Sequence, residues 1–336
     1  MAFELTVDNC REYLARRAPV ELEKLFIREL GGGVSNTVLL VEGNSARFIL
    51  KQSLGRLRVE DDWRADRSHI LREARSLQDA TRILPAGAVP QVLWVDEPNF
   101  VFAMTAAEPS AESWKSRLLA GRIDPAVAVT VGVLLGLWIR DSWENCAFEE
   151  RYGDQTAFDQ LRIDPYYRTI ARRRPDVAAV VGELIAELGA RCVSLVHGDW
   201  SPKNFLVGCH GVMAIDFEVA HYGDPTFDAA FCINHFLLKC FRLPQHAPSF
   251  LELARVFYAW MEGLLPPAAL KFFEAATAKH LGCLLLARID GKSPAEYIVE
   301  DRLKEAVRDT AVRMILERPQ TLERCYAMVA DRVAGL

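Results

Sequence analysis

Over the first hundred residues the apolar positions come in short runs rather than at helical intervals. KLFIREL (24–30), NTVLLVEG (36–43), RFILKQ (47–52), VPQVLWVDEP (89–98) and NFVFAMTA (99–106) are rich in Val, Ile, Phe and Leu and punctuated by Gly, Asn or Pro, which predicts strands. Between the third and fourth of them, HILREARSLQDATRIL (69–84) places Ile70, Leu71, Ala74 and Leu77 on one helix face. From about Pro109 the period lengthens: helical patterns run over 125–140, 176–190, 266–289 and 295–335, interrupted by an apolar hairpin around 193–217. The expectation is an α/β (α+β) chain in two parts, small and β-rich over 1–108, larger and mainly helical over 109–336. They join near Ala106 to Ser110 without a Gly/Ser or Pro-rich linker.

Composition narrows the class. A length of 336 residues predicts two domains or two lobes, and 51% hydrophobic with 25% charged residues is ordinary for a compact globular protein. Lys plus Arg is 40 against 45 Asp plus Glu, a net charge of -5, too balanced for a polyanion binder, so no nucleic-acid partner is expected. The 8 cysteines are scattered without a C-x-x-C pair, which reads as reduced thiols. The opening MAFELTVDNCREYLARR has neither the basic nor the apolar region of a signal peptide, so a cytoplasmic location is expected. PAVAVTVGVLLGLWI (125–139) is uncharged but shorter than the roughly 20 residues of a membrane span, and reads as a buried helix.

The sharpest chemistry lies in VSLVHGDWSPKNFLVGCHGVMAIDFE (193–218). A β-like run leads into His197-Gly198-Asp199, Asn204 follows five residues after the Asp, and another apolar run ends in Asp216-Phe217-Glu218. One Asp or Asn after a strand is ordinarily a turn former or a cap. Together the set suits phosphoryl transfer, in which one carboxylate orients a hydroxyl and accepts its proton while a carboxylate and an amide hold Mg²⁺ on the phosphates. Asp199 fits the first role; Asn204 and Asp216 fit the second.

HGDWSPKN (197–204) and GDPTFDAA (223–230) resemble the catalytic loop and the segment after the metal-binding Asp in the aminoglycoside phosphotransferase and choline kinase superfamily, whose fold is kinase-like. FILKQSLGRLRVEDDW (48–63), the Asp216-x-Glu218 pattern and IDPYY (163–167) are similar to methylthioribose kinase. The resemblance covers most of the chain, strongly over 30–105 and 190–240. It implies ATP and Mg²⁺ as cofactors and a small-molecule hydroxyl as acceptor. Gly31, Gly32, Gly33 and Ser35 would cradle phosphates through backbone N–H groups, and Lys51, steadied by Glu73, would contact them directly. Glu60 and Asp61 compete with Glu73 for that place. Met104 to Ala107, Met104 and Ala106 in particular, would meet adenine through main-chain atoms. Glu218 would add a carboxylate to the metal, Trp200 and Arg288 would contact the substrate, and Trp63 would match a tryptophan-bearing loop. His197 is read as an orienting residue and Asp228 as a tie that holds the catalytic loop from below.

The resemblance makes a sugar or nucleoside-like polyol the first choice of acceptor and an aminoglycoside the second. Residues 262–336 mix acids and bases evenly and show no acidic cluster for a polycation. A silent nucleotide-binding sensor is the rival from another class, though it has no chemical need of Asp199. A protein kinase would carry H-R-D in place of H-G-D. His197, His210 and His221 with Asp199 match no metal-ligand spacing.

Overall fold

The computed structural model describes residues 3–17, 25–31, 36–44, 46–54 and 67–336. They form two compact units, one of residues 1–111 with 213–218, the other of 112–212 with 219–336. The first unit therefore ends at Ala111 and also takes back a short segment from late in the sequence.

The first unit opens with helix α1 (Cys10–Ala15) and continues with strands β1 (Phe26–Glu29), β2 (Asn36–Glu42) and β3 (Arg47–Ser53). Helix α2 (His69–Ile83) and strands β4 (Val92–Asp96) and β5 (Val101–Thr105) follow. The strands make one antiparallel sheet in the order β1-β2-β3-β5-β4, with Val38 and Phe102 flanking Lys51 across the ladder. Side chains alternate along a strand, so successive residues of β3 face opposite layers. Phe48 and Leu50 enter a core with Leu39, Val41, Val101, Ala103 and the α1 residues Cys10, Tyr13 and Leu14. Lys51, on the alternate face, meets α2, which packs on β3, β4 and β5. The returning segment is tied in by the Ala214 N–H, which donates to the Ala88 carbonyl at 2.7 Å.

The second unit is mainly helical: α3 (Trp114–Leu119), α4 (Pro125–Ser142), α5 (Cys146–Tyr152), α6 (Thr156–Phe158), α7 (Thr169–Arg173) and α8 (Ala178–Ala190) precede the hairpin region. Helices α9 (Thr226–Arg242), α10 (Ala247–Glu262), α11 (Pro267–Leu270), α12 (Phe273–Asp290), α13 (Asp301–Glu317) and α14 (Leu322–Val333) follow it. The short strands are β6 (Glu112–Ser113), β7 (Ser194–Val196), β8 (Phe205–Gly208) and β10 (His221–Gly223), while β9 (Gly211–Ala214) begins in this unit and ends in the segment 213–218 that returns to the first. β7 pairs with β10 and β6 with β8, both antiparallel.

Helix α4 is the apolar run at 125–139, and it is long and apolar enough to cross a membrane by composition alone. Here it packs on α10. Gly132 and Gly136 permit the close approach: a Cβ on Gly132 would lie 2.4 Å from the Phe257 carbonyl oxygen, and one on Gly136 2.9 Å from that of Met261.

Three features differ from the sequence pattern. Residues 226–262, to which no element was assigned, hold α9 and α10; every residue of α9 from Thr226 to Phe241 is buried, so no polar stripe marks its period. The pattern over 295–335 is two helices, split where Arg318 turns left-handed (φ 51°) before Pro319 and Thr321 caps α14. Residues 159–168 form a π-helical stretch around Pro165, which cannot donate the regular helix bond.

Candidate active site

In the first unit, β3 and α2 bring Lys51 and Glu73 together, Nζ to Oε1 at 2.7 Å, and the same ammonium lies 3.0 Å from Asp216 Oδ1. Asp216 has a left-handed backbone (φ 71°), a conformation Asp tolerates better than most residues, and it stands where the returning segment enters the unit. Glu218 follows two residues later and accepts from Asn36 Nδ2 at 3.0 Å. Oxygen atoms of Glu73, Asp216 and Glu218 all lie within 4.8 Å of one another.

Among the described residues, three carboxylates gather around one ammonium. Burial pulls Lys51 down, but Asp216, Glu73 and Glu218 outweigh it and hold the ammonium well above its ordinary value. Burial raises Glu73, up to about 7, against the pull of Lys51, and Asp216 and Glu218 push the same way. Asp216 and Glu218 are only partly buried. Hard carboxylate oxygens this close together fit Mg²⁺.

In the second unit the loop after β7 carries Asp199. Gly198 is required there twice over, by its left-handed φ of 78° and because a Cβ would lie 2.9 Å from Val219 Cγ1. Fully buried Asp228, near the start of α9, accepts the His197 N–H at 2.6 Å and the Gly198 N–H at 2.9 Å. Burial raises Asp228, up to about 7, against those two donors. His197 Nδ1 accepts the Asp199 N–H at 3.1 Å, leaving the ring proton to Nε2, and Asn204 Nδ2 donates to the Asp199 carbonyl at 3.0 Å. The Asn204 amide oxygen is the atom a cation would use.

The Asp199 carboxylate is itself held by two cations that the sequence reading did not single out. Arg162 Nη2 is 3.0 Å and Lys203 Nζ 2.7 Å from Oδ2, and Arg162 Nε donates to the Gly198 carbonyl at 2.5 Å. Lys203 lies in the loop motif four residues after Asp199, a spacing that marks it as a neighbour. Arg162 comes from the π-helical stretch, just before the IDPYY motif, and only folding brings it to the loop.

Other expected residues fall differently. Trp200 is 0% exposed, its ring set edge-on to Phe205 at 4.9 Å and His197 at 5.4 Å, so it packs beneath the loop and is not a substrate contact. Arg288 is 8% exposed and donates to the Ser293 carbonyl and hydroxyl at 2.6 and 2.8 Å and to the Tyr166 hydroxyl at 3.3 Å. Met104 pairs with Ile49 inside the sheet, so its backbone serves the ladder rather than a base. Ala106 lies beyond the strand, and the Ala107 carbonyl accepts from Arg47. Gly31 is exposed at the end of the described stretch, while Gly32, Gly33, Ser35, Glu60, Asp61 and Trp63 lie outside the described residues. His221 stacks on Phe158 at 4.1 Å, and among the described residues His197, His210 and His221 make no ligand cluster with Asp199.

The sequence profile of the phosphotransferase enzyme family matches residues 27–239, a stretch that contains Lys51, Glu73, Asp199, Asn204, Asp216 and Asp228. The chain belongs to that family. Among relatives, methylthioribose kinase 2 of Oryza sativa subsp. japonica is 27% identical over 262 residues, covering 70% of this chain and 61% of its own. A methylthioribose kinase of Escherichia coli O45:K1 (strain S88 / ExPEC) is 23% identical over 274 residues, covering 71% and 65%. The chain thus spans less than two thirds of the length of these relatives. Among solved structures, a choline/ethanolamine kinase family protein from Mesorhizobium loti matches with a TM-score of 0.50 at 18% identity, covering 96% of this chain and 99% of that one. Plasmodium vivax ethanolamine kinase matches with a TM-score of 0.54 at 12% identity, covering 97% and 86%. Likeness at those identities shows the fold. This phosphotransferase family member has a kinase-like architecture with a small antiparallel sheet and a larger helical part.

Proposed function

We propose that the protein is a small-molecule kinase that moves the γ-phosphoryl group of Mg-ATP to a hydroxyl of a sugar or nucleoside-like polyol. The observation that carries this reading is the Asp199 carboxylate, fixed through its loop by Asp228, His197 and Asn204 and at its own Oδ2 by Arg162 and Lys203. A base held this firmly is suited to one oriented hydroxyl. The acceptor oxygen forms the new bond to the γ-phosphorus as the bond from that phosphorus to the β–γ bridging oxygen breaks. The hydroxyl proton passes to Asp199 and then to water, and ADP leaves with the electron pair. Lys51, kept cationic and aimed by Glu73, contacts the nucleotide phosphates. Asp216 and Glu218 would supply carboxylate oxygens to Mg²⁺, and Asn204 its amide oxygen; the ion would neutralise phosphate charge. Ala106 is kept as a main-chain contact for adenine. The polyol assignment is supported by relatives named methylthioribose kinase.

The test is ADP formation from Mg-ATP across a panel of methylthioribose, other pentoses, nucleosides, choline and aminoglycosides, with D199N as the blank. Acceptor-dependent ADP that D199N loses supports the kinase. Turnover by D199N equal to the parent would sink the assignment of Asp199. Mg-ATP binding with no acceptor-dependent turnover, for any acceptor offered, would favour a nucleotide sensor.

A further inference from the structure

Beyond Arg162 and Lys203 the second unit holds more positive charge than the reaction uses. Lys239, on α9, is 0% exposed, yet its ammonium has no carboxylate partner among the described residues: Nζ donates to the His235 carbonyl at 3.0 Å and lies 5.4 Å from the Tyr297 ring centroid. Arg288, on α12, spends one guanidinium nitrogen on Tyr166 and Ser293, while its buried Nε has no hydrogen-bond partner. Asn234, five residues before Lys239 and so on a different face of α9, is fully buried with neither its amide oxygen nor its amide nitrogen partnered. Buried polar groups of this kind are costly unless something satisfies them.

These groups connect to the catalytic loop through continuous contacts. The Arg162 guanidinium that holds Asp199 lies 5.8 Å from the Phe231 ring, and Phe231 meets His235 at 5.3 Å and Tyr166 at 5.6 Å. Burial presses the His235 imidazole down, and Lys239, Arg288, Lys203 and Lys115 all press it the same way, so four cations bear on one ring. Lys115 has its own carboxylate in Glu296, and Lys203 and Arg162 share Asp199. Neither Lys239 nor Arg288 makes an ion pair with a carboxylate among the described residues; Glu296, which Lys115 holds, bears on both only from a distance. Exposure across the cluster falls from the half-exposed Lys203 and Glu296 to the fully buried Lys239.

We propose that the acceptor carries an anionic group, a carboxylate or a phosphate, received by Lys239 and Arg288 while its hydroxyl is presented to Asp199. This rests on the kinase reading above and sharpens it. An anion supplies the direct ion pair that Lys239 and Arg288 lack and the acceptor for their unused N–H groups, with charge-assisted bonds in a site of low dielectric. A polycationic aminoglycoside or a quaternary ammonium would meet repulsion there, and a neutral sugar would leave the cations unpaired.

The test is calorimetric titration with matched pairs that differ only in the anion: glycerate against glycerol and ribonate against ribitol in one arm, ribose 5-phosphate against ribose in the other. The expected result is binding at least about tenfold tighter for the anionic member of a pair, with K239M erasing the preference while Mg-ATP binding persists. A preference confined to one arm supports the proposal and names the anion. Neutral members bound as tightly as anionic ones, binding by neither, or a preference unchanged in K239M would overturn it. R288Q repeats the measurement if K239M does not fold. ADP formation with the best-bound acceptor, referenced to D199N, is a separate readout: its absence overturns the kinase reading and leaves the anion result standing.

Discussion

Arg162 and Lys203 both reach the same oxygen of Asp199, and they do so differently. Lys203 is half exposed and brings one flexible ammonium, whereas Arg162 is mostly buried and also grips the Gly198 carbonyl, so it fixes carboxylate and loop together. Arg162 is accordingly a positioning residue. R162Q should lower kcat by about tenfold or more with little change in nucleotide KM, and R162K should recover part of the loss; equal falls in both variants with a changed nucleotide KM would point to a folding defect instead. If Asp199 is the base, as proposed, D199N should cost about 10² to 10⁴ in kcat with nucleotide affinity retained, read by ADP formation and calorimetry. Lys51 makes a third prediction, on stability. Removing it alone leaves the 1%-exposed Glu73 without its partner, so K51M should destabilise by about 3 to 5 kcal/mol in denaturant unfolding, and K51M/E73L should regain most of that. At this scale, what the sequence could tell depended on the kind of residue. Asp199, Asp216 and Lys51 stand out because oxygen ligands and a lysine at the ends of apolar runs need a reason to be there. Arg162 sits in an ordinary polar stretch and gains its meaning only from where the π-helical turn points it. Trp200 misled for the converse reason: adjacency to the base in sequence suggested a substrate contact, but along the loop neighbouring side chains diverge, and the indole went to the core.

Helix α2 and strand β3 show when an element is legible. α2 is covered on one side only, so Ile70, Ala74 and Leu77 trace a stripe that the sequence displays, and β3 joins an apolar run to a lysine at its end. α9 is enclosed on every side, and burial erases the alternation by which a surface helix announces itself. The same enclosure makes it the natural place for Asp228, Asn234 and Lys239, because a side chain on a helix packed against α10, α12, α13 and α14 has little freedom to stray. The α4 and α10 pair depends on backbone proximity at Gly132. G132A must separate the helices or strain the Phe257 carbonyl that stands 2.4 Å from the new methyl, and overpacking of this kind costs about 1 to 3 kcal/mol. Denaturant unfolding followed by circular dichroism should register that loss. Gly182, whose Cβ would meet nothing within 4 Å, is the control: on a helix, G182A should be neutral or stabilising.

On the scale of the whole molecule, the change of hydrophobic period near residue 109 announced the two-part organisation, but no local pattern could show that 213–218 returns to the first unit. That return delivers Asp216 and Glu218 to Lys51, and it is a property of the chain path rather than of composition. Charge shows the same division between what is summed and what is placed. The net charge of -5 gives no hint of a buried ammonium with no carboxylate ion pair among the described residues. Burial holds Lys239 down to about 7, with Lys115 and Arg288 pressing the same way and Cys232 and Glu296 opposing, against 10.5 for an ordinary lysine. In the window between those two values the unfolded chain keeps a proton that the folded chain has released, so the contribution of Lys239 to stability rises with pH; below about 7 both states are charged and the full penalty stands. K239M should therefore exceed the parent in melting temperature most near neutral pH, and its advantage should shrink steadily towards about pH 10. Groups such as His280, Asp224 and Asp228 titrate in both proteins and largely cancel in the difference, whereas His235, which Lys239 itself presses down, does not; for that reason the comparison begins at neutral pH. A difference that stays flat would mean that the ammonium is not held in a depressed state. A saturating anionic acceptor adds a second sign to check. By pairing with the charged amine it should raise the melting temperature of the parent more near pH 7 than near pH 9, because below its folded value Lys239 already carries the proton that the anion needs.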